Sequence, residues 1–125
     1  MSIRVLGALS AAIVLWASMA LAQHHMATKG PSGGPLRDIV GVHAELMVAG
    51  NTVTINLLDE HSKPSSAKGF SGAVLFVGGS ASETVPLTVF GDSALKGEAR
   101  APIPPDAQVT LILKNPAGKS GQAKF

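Results

Sequence analysis

The stretch IVGVHAELMVAGNTVTINLL, residues 39–58, decides how the chain is read. Two runs rich in Val, Ile and Leu flank Gly50-Asn51. Apolar and polar residues alternate within them, which is the period of a strand buried on one face. Gly50-Asn51 suits a two-residue hairpin turn with Gly first, as a type II′ turn prefers. Ala49 then faces Thr52, Met47 faces Thr54, Glu45 faces Asn56 and His43 faces Leu58. One side of the hairpin carries His43, Glu45, Met47, Thr54 and Asn56. The other carries Ala44, Leu46, Val48, Val53, Ile55 and Leu57. A three-residue turn would mix Glu45 with Ile55 and bury a charged carboxylate at a cost of several kcal/mol. The two-residue register is therefore expected, with His43, Glu45 and Met47 on the solvent-facing side.

The same pattern extends outward. Short apolar runs at 39–48, 53–58, 70–77, 84–90, 95–100, 107–114 and 120–125 alternate with Gly-, Pro-, Asn- and Asp-containing breaks. No stretch holds a helical repeat for three turns. Short strands at this spacing predict an all-β domain over residues 36–125, a seven-stranded antiparallel immunoglobulin-like sandwich. Pro86 lies inside a strand pattern and lacks an N–H, so its strand is expected at an edge or bulged. Phe70, Phe76, Phe90 and Phe125 all fall in strand patterns and are expected in the core.

The N-terminal third reads differently. Met1–Arg4 carries a positive charge, Val5–Leu21 is apolar, and Ala20-Leu21-Ala22 places small residues before Gln23. These are the parts of a secretory signal peptide, residues 1–22, cleaved after Ala22. The alternative is a retained membrane anchor, since the run approaches the ~20 residues that a span needs. Residues 23–35, QHHMATKGPSGGP, have no apolar periodicity and read as a flexible arm.

Composition sharpens this division. The chain has 125 residues, 46% hydrophobic and 14% charged, with a net charge of +2 and no Cys. Loss of residues 1–22 removes Arg4 and the only Trp, leaving a near-neutral domain with all four His. Its Lys and Arg are scattered, which argues against a nucleic-acid groove, where cations cluster. Without Cys there can be neither disulfides nor thiolate metal sites. The sequence holds no G-x-S-x-G elbow, phosphate-binding Gly-Lys loop or H-E-x-x-H motif, and points to a protein that is not an enzyme.

The His residues carry the chemistry. Cleavage after Ala22 would start the chain at Gln23-His24-His25, with a free amine and His in third place. Amine, two deprotonated amides and an imidazole can form a square plane, which Cu(II) and Ni(II) favour, and the Met26 thioether suits Cu(I). A second candidate set is His43 and Glu45 on the hairpin with His61 in the following loop, an N/O set for a divalent ion. The plainer alternative for that set is an exposed polar face with a His–Glu contact worth little.

Gly41–Val48, Val53–Leu58, Asp59, His61, Lys63-Pro64, Val85-Pro86-Leu87, Leu95-Lys96-Gly97 and Gln122–Phe125 together resemble a group of small exported β-sandwich proteins. Their genes often accompany heavy-metal efflux and copper-resistance systems. The resemblance spans most of residues 33–125, each motif being short. It implies a periplasmic setting, a metal-related role and metal-efflux or other envelope proteins as partners. The group carries His-Gly-Gly before the first strand, where this chain has Ser32-Gly33-Gly34. It has an aromatic after the first-strand His, here Ala44, and an adjacent Asp-His, here parted by Glu60. The expectation is a periplasmic, non-catalytic binding protein that handles copper through His24, His25 and Met26, joined by His43, Glu45 and His61. The rival is a metal-free envelope module that docks through a sheet edge or the exposed hairpin face.

Overall fold

The computed structural model describes residues 29–125. The expected signal peptide, and His24, His25 and Met26, lie outside the described residues. Eight strands follow in order: β1 (Leu36–Ile39), β2 (Val42–Ala49), β3 (Thr52–Leu58), β4 (Ser71–Gly78), β5 (Ala81–Phe90), β6 (Ala94–Glu98), β7 (Gln108–Lys114) and β8 (Ser120–Lys124). All pair antiparallel in one sheet of order β1-β2-β3-β6-β5-β4-β7-β8. The domain is all-β, and the seven expected strands are corrected to eight in a single, nearly closed sheet.

The extra strand, β1, lies ahead of the first expected run and takes only Ile39 from it. Val40 and Gly41 adopt positive φ, 41° and 84°, and turn the chain between β1 and β2. Two successive positive φ values define a type I′ turn, usually signalled by Asn-Gly or Asp-Gly. A β-branched residue seldom adopts that conformation, so Ile39-Val40-Gly41-Val42 reads as continuous strand from sequence. The β2–β3 hairpin has the expected register, His43 opposite Leu58 through Ala49 opposite Thr52. Gly50 has φ 61°, as the first position of a II′ turn requires.

Hairpins link β1 to β2, β2 to β3, β4 to β5, β5 to β6 and β7 to β8, whereas β3→β4 and β6→β7 cross over. The two crossovers make overlapping Greek keys. β5 joins the halves, with Ala81–Leu87 paired to β4 and Thr88–Phe90 to β6. Its expected place at an edge is corrected, because β5 has a neighbour on each side. Pro86 is tolerated because the β6 ladder begins only at Thr88, so the side facing β6 is open at Pro86.

The inner faces contribute Ala44, Leu46, Val53, Ile55, Leu57, Val74, Phe76, Val85, Leu87, Leu95, Leu111 and Leu113 to one core. Phe76 is buried, and Phe70 and Phe125 pack against the core at its margin. Phe90 departs from expectation: it is 56% exposed on the outer face, with the Lys96 ammonium 4.7 Å above its ring.

Closure falls between the end strands, β1 and β8, which lie against each other. Arg37 spans that seam. Its Nε donates to the Lys124 carbonyl at 2.9 Å and one terminal nitrogen donates to the Leu36 carbonyl at 2.8 Å. The guanidinium also lies 5.5 Å from the centre of the Phe125 ring. β1 is half the length of β2 and covers only Val42–Glu45, while Pro35 accepts from Leu46 N. Beyond Leu46, β2 pairs with β3 alone. There the seam widens into an apolar groove of about 330 Å³ between Leu46 and Val48 on one side and Val109 and Phe125 on the other, with Pro104 and Pro105 beside them.

Candidate functional site

The site is built on the outer face of the β1–β2–β3 corner. Strand alternation turns His43, Glu45 and Met47 outward from the core. Each then meets a different cover. Leu36, Glu45, Asn56 and Ala94 form one row across β1, β2, β3 and β6, and Asp38, His43 and Leu58 form another.

Glu45 is the correction that matters most here. Its expected place is the solvent-facing side, yet it is only 1% exposed. Lys29 bridges to Pro35, and Gly30 N donates to Gly34 O at 2.7 Å, which folds the intervening residues into a turn over β2. Glu45 Oε2 accepts from the backbone N–H of Ser32 at 2.8 Å and of Gly34 at 3.1 Å. Its Oε1 accepts from Asn56 Nδ2 at 3.1 Å. A buried carboxylate is tolerated when donors replace its water, and three do so here. Of the segment read as a flexible arm, 29–35 thus forms this turn, and 23–28 lie outside the described residues.

His43 faces Asp38 across β1–β2. Its Nδ1 is shielded from solvent and meets Asp38 Oδ1. His43 keeps 26% of its side chain exposed, and Nε2 makes no hydrogen bond among the described residues. A carboxylate that accepts an N–H from one imidazole nitrogen orients the ring and leaves the other nitrogen to offer a lone pair to a metal ion, and Asp38 is placed where it can do so. Asp38 is a residue that sequence reasoning misses. Its signal is the register: once Val40-Gly41 is seen as a turn, Asp38 falls opposite His43.

His61 stands apart from both. It belongs to the turn that follows β3, where Asp59 Oδ1 accepts from the N–H groups of His61 at 2.8 Å and Lys63 at 3.0 Å. Those contacts, the Lys63 N–H foremost, hold the Asp59 carboxyl below its ordinary value of 3.8. The His61 side chain is 74% exposed, and its Nε2 lies 3.6 Å from Glu60 Oε1. No group of three or more His, Asp or Glu among the described residues is arranged to hold an ion. His43, Glu45 and His61 do not form such a group among the described residues. The structure brings together His43 with Asp38 and Glu45 with the covering turn.

No protein-family model matches the chain, and neither a curated protein nor a solved structure does.

Proposed function

We propose that this chain is an exported, periplasmic, non-catalytic binding protein that handles a transition metal, copper in the first place. The observation that carries the proposal is the Asp38–His43 pair, an imidazole with Nδ1 against a carboxylate and Nε2 without a hydrogen bond among the described residues. One nitrogen ligand does not retain copper, so the remaining donors come from the arm, His24, His25 and Met26. Glu45 is committed to the covering turn by its three hydrogen bonds. His61 sits on an exposed turn as an auxiliary donor at most. The resemblance to small exported proteins of copper-resistance systems supports the same reading.

The test uses the exported protein as recovered, its N-terminus fixed by mass spectrometry, titrated with Cu(II), Cu(I), Ni(II) and Zn(II). Binding at Kd of about 1 μM or tighter is expected for copper, about −8 kcal/mol. Deleting residues 23–26 is expected to abolish it, and His43→Ala to weaken it by about tenfold or more. Copper binding no tighter than that of the denatured chain would remove the metal reading. A second reading, docking of an envelope protein, is favoured by the apolar groove beside the uncovered end of β2.

A further inference from the structure

We infer that the pocket at the turn end of the β4–β5 hairpin binds a small organic ammonium ion, an apolar group about one ring in size that carries a protonated amine. The inference is independent of the metal reading. The segment that closes this pocket is fastened at Gly50 and Asn51, past the end of β2 remote from His43.

The pocket follows from how the strands end. Cross-strand partners share a face, and Val85 opposite Val74 lies in the core. Two residues earlier Glu83 stands opposite Phe76, which is itself opposite Val109. Phe76 and Val109 are buried, so Glu83 occupies an inward position in an otherwise apolar row. Ala81 opposite Gly78 continues that face with almost no side chain, which leaves space where the core row stops. Residues 99–104 close over the space. Ala99 N donates to Asn51 O at 2.7 Å, Asn51 Nδ2 to Ala99 O at 3.1 Å, and Ile103 N to Gly50 O at 3.0 Å. The segment is thus fixed to the β2–β3 turn at two points, and the rings of Pro102 and Pro104 stiffen it further. What remains is a pocket of about 160 Å³ between Phe76 and Ala81 on one side and Ala101, Pro102 and Ile103 on the other. A cavity of about 150 Å³ is enough to hold a benzene ring.

Glu83 gives the pocket its selectivity. It is the only charged side chain in the lining among the described residues, and it is part exposed. Its Oε1 accepts the Arg100 N–H at 2.8 Å, a contact that needs an acceptor but no charge. The ion pairs among the described residues belong to Asp38 and Glu60, so Glu83 has no salt-bridge partner there. A carboxylate set against an apolar wall complements a ligand with the opposite charge on an apolar body. The ammonium would donate to the carboxylate while the body fills the pocket. A neutral ring would leave the carboxylate shielded from water without a new partner, and an anion would be repelled.

The test titrates the purified chain with benzylammonium, benzyl alcohol and benzoate, read by backbone amide chemical shifts. Benzylammonium is expected to saturate with a Kd of about 1 mM, with the largest shifts at Phe76, Ala81, Glu83 and Ala101. Benzyl alcohol is expected to bind about fivefold more weakly, and benzoate to give no saturable shift. No approach to saturation by benzylammonium at about 20 mM overturns the inference, as do largest shifts at Leu46 and Val109 in the neighbouring groove. Equal affinity for benzylammonium and benzyl alcohol overturns the ligand class.

Two variants complete the test, with the amide shifts of Ile55 and Leu111 as controls for the fold. Glu83→Gln keeps an acceptor for the Arg100 N–H and is expected to lower the affinity for benzylammonium to that for benzyl alcohol. Unchanged affinity in this variant overturns the role of Glu83. Ala81→Leu fills the space from the hairpin side and is expected to weaken both ligands by about tenfold or more. Undiminished binding in Ala81→Leu overturns the pocket as the site, and this variant with the three-ligand comparison decides the matter if Glu83→Gln fails to fold.

Discussion

Asp59 shows how much one exposed carboxylate can organise. Its Oδ1 takes the N–H groups of His61 and Lys63, while Asp59 N donates to Lys63 O at 2.8 Å and Ser62 N donates to Asp59 O at 3.0 Å. The turn that carries His61 is therefore tied to a single titrating group. Because the folded value lies below 3.8, the contribution to stability is present above the unfolded value and is lost as pH falls through the folded one. A chemical-shift titration of Asp59 should give a midpoint below 3.8, with the Lys63 amide moving at the same midpoint. A midpoint at or above 3.8 would mean that these N–H contacts do not hold in solution. Near neutral pH the turn should not respond to protonation of Asp59.

At the scale of elements, the seam between β1 and β8 is the weakest join, and Arg37 spans it. Removing its two carbonyl contacts and its stacking on Phe125 should cost about 1–3 kcal/mol. Arg37→Ala should lower the urea midpoint accordingly, while Arg37→Lys should restore less than half of the loss, since an ammonium lacks the planar fork. Equal stability of the two variants would show that the guanidinium geometry is immaterial. The same elements show what can be read from sequence. The β2–β3 hairpin is legible to the residue because period-two alternation and Gly50-Asn51 agree. β1 is not, because Val40 accepts a positive φ that its β-branched side chain disfavours; its reward is contact at the seam, where Gly121 packs against it. His43 stands out by residue type alone. Asp38 stays hidden behind the missing turn, and the cover over Glu45 stays hidden because glycines and backbone N–H groups leave no hydrophobic pattern. Phe90 misleads for the opposite reason: an aromatic in a strand signals burial, yet here it pairs outward with Lys96.

For the whole molecule, nonlocal pairing governs behaviour. Neither crossover can be secured until strands distant in sequence have met, so folding in milliseconds to seconds is expected rather than microseconds. One core serves every strand from β2 to β8, so local damage should spread. Ile55 is fully buried at its centre, and Ile55→Ala should cost about 2–5 kcal/mol. The loss should appear as one cooperative transition, with amides of β3 and β7 losing protection together in hydrogen exchange. Separate transitions for the two halves joined by β5 would contradict a common core. With no Cys in the chain, no covalent cross-link limits the unfolded state, and the packing of this core carries the stability.

The short β1 has a consequence for life in a crowded compartment. Where β2 runs on past Leu46 with β3 as its one neighbour, the nearly closed sheet presents an edge at which a strand from another molecule could join, next to an apolar trough. Pro35 stands at its mouth and Pro104-Pro105 along its wall, and these residues have no N–H to offer a newcomer. An arriving strand would find oily surface but an incomplete row of partners for its backbone. The prolines thus act as gatekeepers, and a gap in the sheet that could seed fibrous self-assembly is kept poor at templating it.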